Sequence, residues 1–431
     1  NSSLGKIIFK GDINGSGLKG PFVNAKLDGT IQLLEFNNYA YQGISVKGTI
    51  AKQLFNGELI SADPNLQAKL NGLVDFSQKI PEFNFEATIA RADLKRLNLM
   101  KDEVEFDGKF RFNFKGKNID DFLGTARIYD ASLFKSGKRI AFDSLFLESR
   151  IVDSNKVITA VSNEFDAVLA GEFSIKDLPA AFQTFLNKYY PAYISPSKKI
   201  LTNENFSFVV TTKNVDEYVN LIDPHLSGFN FSTLTGRINT KEQLLDLNAE
   251  VPQFNYKNIS FYDVKMKAMG AYDSLSLEAE IANVYINDSL NFPGTIIKIK
   301  SAKDISNINI LTSANQTLNS ANIIAQVQTL PRGAKIKFRE SNFDLNGKTW
   351  IIEKDGELTL TEDLISADKI KMYNGFQEVH VTSVPSQSKI SNDIKIELKK
   401  VNIGDFTPYF IKSNRLEGLL TGTVSFTDPF G

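Results

Sequence analysis

Phe83-Asn84-Phe85-Glu86-Ala87-Thr88-Ile89 and, one strand length further on, Lys109-Phe110-Arg111-Phe112-Asn113-Phe114-Lys115 write apolar and polar residues in strict alternation. Successive side chains of a strand point to opposite faces, so each run describes a ribbon with one oily face and one charged face. The pattern returns at Leu66, Ala68 and Leu70, at Phe206, Phe208 and Val210, and at Leu275, Leu277, Ala279 and Ile281. It returns again at Leu358 and Leu360 and at Ile394, Ile396 and Leu398. The fold turns on what a long one-faced sheet sets its oily side against.

Strand-like runs recur about every 8 to 12 residues, the spacing of an antiparallel meander. Turn chemistry separates them at Asp63-Pro64-Asn65, Asn71-Gly72, Asp107-Gly108, Asn346-Gly347 and Asp355-Gly356. Helical spacing is rare. From Lys176 to Tyr190 the residues Leu178, Ala181, Phe182, Phe185, Leu186 and Tyr189 share one helical face, and Pro191 stops the run. Shorter helices are expected at Leu94 to Leu97, Ile119 to Leu123, Val215 to Ile222 and Phe406 to Phe410, each opening near Asp or Asn. Residues 176–200 read as a helical insertion or connector within one continuous segment, 1–431, because the strand pattern resumes unchanged after the Pro and Ser cluster at 191–197.

So few helices cannot cover the apolar faces of some two dozen strands, and the sheet must cover itself or be covered by something else. A sandwich, a closed barrel and an open gutter with an apolar occupant all satisfy that condition. A stacked β-helix is disfavoured, since no fixed short period with corner residues is present. The expected fold is mostly β: a long antiparallel meander curled into an elongated apolar groove, with a few short helices.

Composition narrows the function classes. With 431 residues, 42% hydrophobic and 23% charged, the chain is long enough for a sizeable core and has the balance of a folded protein. A formal charge of −1, with cations scattered among the strands, offers no basic surface for nucleic acid. Cysteine is absent, which excludes disulfides and thiolate metal sites. No apolar stretch of about 18 residues spans a bilayer, and the first residues do not begin a signal peptide. Ending at Thr427-Asp428-Pro429-Phe430-Gly431, just after a strand begins, the chain is expected to be a segment of something longer. Its 33 phenylalanines against one tryptophan suit ordinary packing and equally suit a wall that touches acyl chains without hydrogen bonding to them.

Motifs for catalysis fail in context. Gly15-Ser16-Gly17-Leu18-Lys19-Gly20 matches G-x-G-x-x-G, but Pro21 and then Phe22, Asn24, Ala25 and Leu27 lead into strand-like sequence where a dinucleotide site needs a helix. Asn346-Gly347-Lys348-Thr349 ends like a phosphate loop, yet Asn342 stands where its first glycine belongs. The two histidines, His225 and His380, have no metal-ligand spacing. No nucleophile motif stands in a convincing setting. The chain reads as a non-enzyme without cofactor, metal or catalytic residue.

The run from Phe36 to Leu99 resembles the TamB branch of the AsmA-like envelope proteins, in the form found in the Bacteroidota. The matching pieces are Tyr39 to Gly43 with Gly48, the turn Asp63-Pro64-Asn65, Gly72-Leu73-Val74-Asp75-Phe76, Ile80-Pro81, and Ala92-Asp93-Leu94 through Leu97-Asn98-Leu99. Phe343 to Leu360, with Asn346-Gly347-Lys348-Thr349-Trp350, is a second similar stretch. A third runs from Val401-Asn402-Ile403 to Phe410 and on through Leu416-Glu417-Gly418 to Gly422. The resemblance implies a periplasmic groove, in a full-length protein anchored to the inner membrane and reaching a BamA-like outer-membrane barrel. It implies phospholipid transport and outer-membrane protein assembly, with anchoring and barrel contact made by parts outside these residues.

Taken together, these readings place acyl chains of a phospholipid along Phe83, Phe85, Ala87, Ile89, Phe110, Phe112, Phe114, Phe206, Phe208, Val210, Leu275, Leu277, Ile281, Leu358, Leu360, Ile394, Ile396 and Leu398. Two other functions share the pattern. One is a structural or adhesive envelope protein of tandem β-sandwiches, whose domains would repeat at ~100 residues. The other is a periplasmic chaperone that pairs sheet edges with client strands.

Overall fold

The computed structural model describes residues 4–17, 22–135, 137–199, 201, 203–271, 273–287, 290–313, 318–362, 364–385, 392–406 and 417–427. The chain is mostly β, 69% strand and 7% helix, and its antiparallel meander is not closed into a barrel. It divides into two compact units: residues 1–176 with 208–224, and residues 177–207 with 225–431.

In the first unit each strand pairs antiparallel with the next through Leu4–Ser16, Asn24–Phe36, Ile44–Ala51, Leu54–Asp63, Leu66–Asp75, Glu82–Asp93, Val104–Lys115, Leu123–Lys135, Lys138–Val152, Asn155–Ser162 and Phe165–Glu172. The second unit repeats the plan from Leu244–Tyr256 through Ile259–Gly270, Leu275–Asn287, Leu290–Ala302, Ile305–Thr312 and Leu318–Leu330. Beyond it the strands are broken in two, Gly333–Phe338 with Ser341–Leu345 both pairing with Leu318–Leu330.

The first unit's sheet curls. Strands Asn24–Phe36 and Glu82–Asp93 are four spacings apart in the sheet, ~19 Å if it were flat. Yet one helical turn after Asp93, Asn98 donates through Nδ2 to the Asn38 carbonyl at 3.1 Å, and its own carbonyl accepts from Asn37 Nδ2 at 3.0 Å. That reach brings Leu97 onto Tyr41, Ile44, Val46 and Ala92, where it is 1% exposed.

Two expected turns lie inside strands. Asn71-Gly72 belongs to Leu66–Asp75 and Asp107-Gly108 to Val104–Lys115. Glycine there serves close approach rather than reversal, for a Cβ on Gly72 would lie 2.5 Å from the Cα of Phe85 in the next strand. Asn346-Gly347 does turn the chain, with φ of 50° and 74° joining Ser341–Leu345 to Lys348–Ile352.

Helix α1, Leu178–Tyr189, starts with Pro179 in its first turn and buries Ala181, Phe185 and Tyr189, spaced four apart on one face. Its end is tied down: Tyr189 Oη donates to the Ala271 carbonyl at 2.9 Å, and Tyr190 Oη bonds Ser301 Oγ at 2.8 Å. Helix α2 spans Asp216–Ile222. Of the other expected helices, Ile119 to Leu123 is a single 3-10 turn, Ile119–Asp121, and Leu94 to Leu97 is one turn; a further 3-10 turn, Ile403–Asp405, stands just before Phe406, where no helix was expected. Residues 407–410 of the last expected helix, and residues 18–21 of the glycine motif and its flank, lie outside the described residues.

These turns share a spacing that the periodicity does not reveal. Asp93-Leu94-x-x-Leu97, Asn118-Ile119-x-x-Phe122 and Asn402-Ile403-x-x-Phe406 each leave a strand or precede one with an acid or amide whose oxygen accepts from a backbone N–H two or three residues on. The fifth residue then lands on the apolar side: Phe122 against Phe114 at 5.0 Å between ring centroids, Phe406 against Trp350 at 5.4 Å. A local cap thus folds a large apolar group over the sheet.

Candidate functional site

Residues opposite one another in an antiparallel pair share a face, so the register traces rows across the sheet. One row of the first unit runs Ile13, Leu27, Gly48, Gly57, Gly72, Phe85, Phe112, Ala126, Leu147, Ala160, Ala167. No polar side chain interrupts it. In the second unit Gly236, Leu247, Ala268, Leu277, Ile299, Ile308, Ala325 and Phe338 form a comparable row.

The predicted residues have different degrees of cover. Phe83, Phe85, Ala87, Ile89, Phe110, Phe112 and Phe114 are half-buried and alternate with exposed polar neighbours. Their rings pack against one another along the face: Phe83 stacks on Phe114 at 4.7 Å, Phe110 stacks on Phe112 at 5.6 Å, and Phe85 meets Phe112 at 5.0 Å with its plane tilted. Phe208, Val210, Leu277, Leu358, Ile394, Ile396 and Leu398 are also half-buried, and Leu360 is exposed. Leu275 and Ile281 are buried, and Phe206, 2% exposed, sits against Phe182 of α1 at 6.5 Å. Among the described residues Phe206 and Phe185 are the only buried phenylalanines, so the rings are not sealed between layers.

Glycine shapes the floor. Gly48 faces Gly57, which faces Gly72, and a Cβ on Gly57 would lie 2.6 Å from the Cα of Gly48. Cβ positions crowd on the concave side of a bent sheet, so this ladder marks a crease. The Phe55 ring fills the space, 3.0 Å from where a Cβ of Gly48 or of Gly57 would sit. Phe9 stands in the same way over Gly11 and Gly29, and Phe106 over Gly108. The signal was present as Phe-x-Gly at 9–11, 55–57 and 106–108, since positions two apart share a face.

The opposite face is ionic. Lys69 meets Glu58 at 2.5 Å, Arg111 meets Glu86 at 2.7 Å and Lys109 meets Asp130 at 2.7 Å. The Asp130 hydrogen bond raises the Lys109 pKa, and the Lys399 hydrogen bond holds Glu378 below the usual carboxylate range in the second unit. His380 also lies beside Glu378, at 3.4 Å, in that ion-pair row. Among the described residues no group of three His, Asp or Glu is placed to hold a metal ion, and no helix is long and apolar enough to cross a membrane. No protein-family model, curated protein or solved structure matches the chain.

Proposed function

We propose that this chain is a lipid-transfer segment of the TamB-like kind, which carries phospholipid acyl chains along its apolar sheet faces through the periplasm. The observation that carries the reading is the half-buried ladder of phenylalanines on a row without polar side chains. A large apolar surface left open on a folded protein calls for an apolar occupant. A two-chain lipid has on the order of 30 methylenes, and at ~0.8 kcal/mol each their exposure to water costs roughly 25 kcal/mol. A smooth apolar floor offsets most of that cost without a deep trap, and no residue performs chemistry.

Exchange of a charge onto the floor tests this. Phe112→Glu is expected to lower lipid transfer between vesicles about tenfold or more, a loss of at least ~1.4 kcal/mol at the limiting step. Arg111→Glu, one position along on the ionic face, is expected to leave transfer unchanged. Equal behaviour of the two variants would overturn the assignment of faces, and an organic extract of the purified chain without stoichiometric lipid would favour the sandwich reading.

A further inference from the structure

The two margins of the first unit's sheet differ, and alternate turns of a meander fall on the same margin. One margin carries the turns at 37–38, 64–65 and 94–103. It is stopped: Leu97 is buried on the apolar face, Asn98 is hydrogen-bonded to the 37–38 turn, and Asp63, 1% exposed, accepts from Tyr39 Oη at 2.6 Å and Gln42 N at 2.9 Å. Two of its cations are engaged, Lys95 with Glu103 at 2.8 Å and Arg96 with Asp93 at 3.3 Å, and Lys101 alone on these three turns is exposed without an ion pair among the described residues.

The other margin carries the turns at 52–53, 76–81 and 116–122. There Phe76, Ile80 and Ile119 are 55%, 50% and 53% exposed. This grease is continuous with the floor, because Phe76 packs on Phe83 at 5.9 Å and Phe122, three residues beyond Ile119, packs on Phe114 at 5.0 Å. Lys52, Lys79 and Lys117 stand on the same three turns, exposed and without an ion pair among the described residues.

We infer that this second margin is the seam over which a phospholipid lies in the first unit, its acyl chains passing Phe76, Ile80 and Ile119 to the floor and its phosphate facing Lys52, Lys79 and Lys117. The inference rests on the transport reading and goes beyond it by choosing one margin and one headgroup contact.

A photo-crosslinking residue tests it in the full chain, incubated with vesicles of dioleoylphosphatidylglycerol. Phe76 and Ile119 probe the proposed seam; Leu99 and Met100, 55% and 45% exposed on the stopped margin, are matched controls; Phe112 reports the floor. Capture at Phe76 and Ile119 is expected to exceed that at Leu99 and Met100 about fivefold, with capture at Phe112 present. Capture at Phe112 with equal or reversed yields at the margins overturns the seam and leaves the transport reading standing. Absence of lipid at every position overturns both. Replacing Lys52, Lys79 and Lys117 together by Glu is expected to cut phosphatidylglycerol capture at Phe76 by about fivefold per lysine at most. Capture of dioleoylglycerol, which has no phosphate, should then be unchanged, and an equal fall for both lipids overturns the phosphate contact.

Discussion

The phenylalanine face of the first unit and the aliphatic face beneath α1 in the second are written with the same alternation and end up in different surroundings. Phe83, Phe85, Phe110, Phe112 and Phe114 stay half-buried, whereas Ile238, Leu245, Leu275 and Ala279 are between 0% and 8% exposed. The end of α1 sits at the row Leu245, Gly270, Leu275 and Ser301, where the Tyr189 hydroxyl occupies the space that Gly270 leaves empty and the Tyr190 hydroxyl bonds Ser301. Flat rings can tile a face that nothing else covers, since they shield one another at 5 to 6 Å spacing. Small and branched side chains instead leave room for a helix to sit down on them.

Truncating the cover should therefore cost far more than truncating the open face. Phe185→Ala removes a ring 2% exposed and is expected to destabilise the second unit by about 3–5 kcal/mol, the range for a buried aromatic. Phe112→Ala leaves a gap already open to solvent and is expected to cost about 1–2 kcal/mol by area lost. Hydrogen exchange of the amides of Leu275–Asn287 and Val104–Lys115 reads the two sites separately. Equal costs would show that the phenylalanine face is covered in solution.

Leu97→Ala sharpens the comparison within the first unit, where a single residue does on a small scale what α1 does on a larger one. Loss of a side chain 1% exposed is expected to cost about 2–4 kcal/mol and to raise exchange at Tyr39–Tyr41. Asn98, at φ 57°, adds a smaller test: Asn98→Gly keeps the backbone and should cost only its two side-chain hydrogen bonds to the Asn37 and Asn38 carbonyls, about 1 kcal/mol.

Alternation made the faces legible, because period two is all that sidedness needs. Phe83 and Phe114, and Phe85 and Phe112, meet across the sheet as their matched patterns require. Cover was not legible in the same signal. Phe206 and Phe208 sit in one alternating run, yet Phe206 is buried against α1, a contact set by chain far from its own strand. Asn71-Gly72 and Asp107-Gly108 misled in the other direction: their composition is that of a hairpin turn, and only the register shows that the glycine admits a neighbouring strand. Cap positions at Asp93 and Asn118 were legible as helix starts, whereas the cap at Asn402 was not, its helix being expected at Phe406 to Phe410; lengths were not legible either, since one turn suffices to place Leu97, Phe122 or Phe406.

Alkaline titration separates the covered region by a different property. Burial, helped by the charge of Asp273, pushes the Tyr189 phenol up to about 12, against about 10 in an unfolded chain. A raised folded value means that the stability tied to neutral Tyr189 is fully present below pH ~10 and is lost as pH climbs through about 12. Tyr189→Phe, which gives up the hydrogen bond to the Ala271 carbonyl, should be less stable at pH 8 and should lose less between pH 10 and 12. Urea midpoints across that window check the sign, and parallel curves for the two proteins would place the phenol in solvent.

The smallest effect belongs to the ionic side of the open face. Arg111 and Glu86 meet at 2.7 Å, but their side chains are 60% and 58% exposed, so water and salt screen most of the attraction. Arg111→Ala is expected to change stability by no more than about 0.5 kcal/mol, and less at high salt. Phe112, the next residue, has no such tolerance for charge if its ring forms the floor of an occupied track. A loss well above 1 kcal/mol at Arg111 would mean that the outer face is covered too, and the first unit would then differ from the second in the chemistry of its cover rather than in having none.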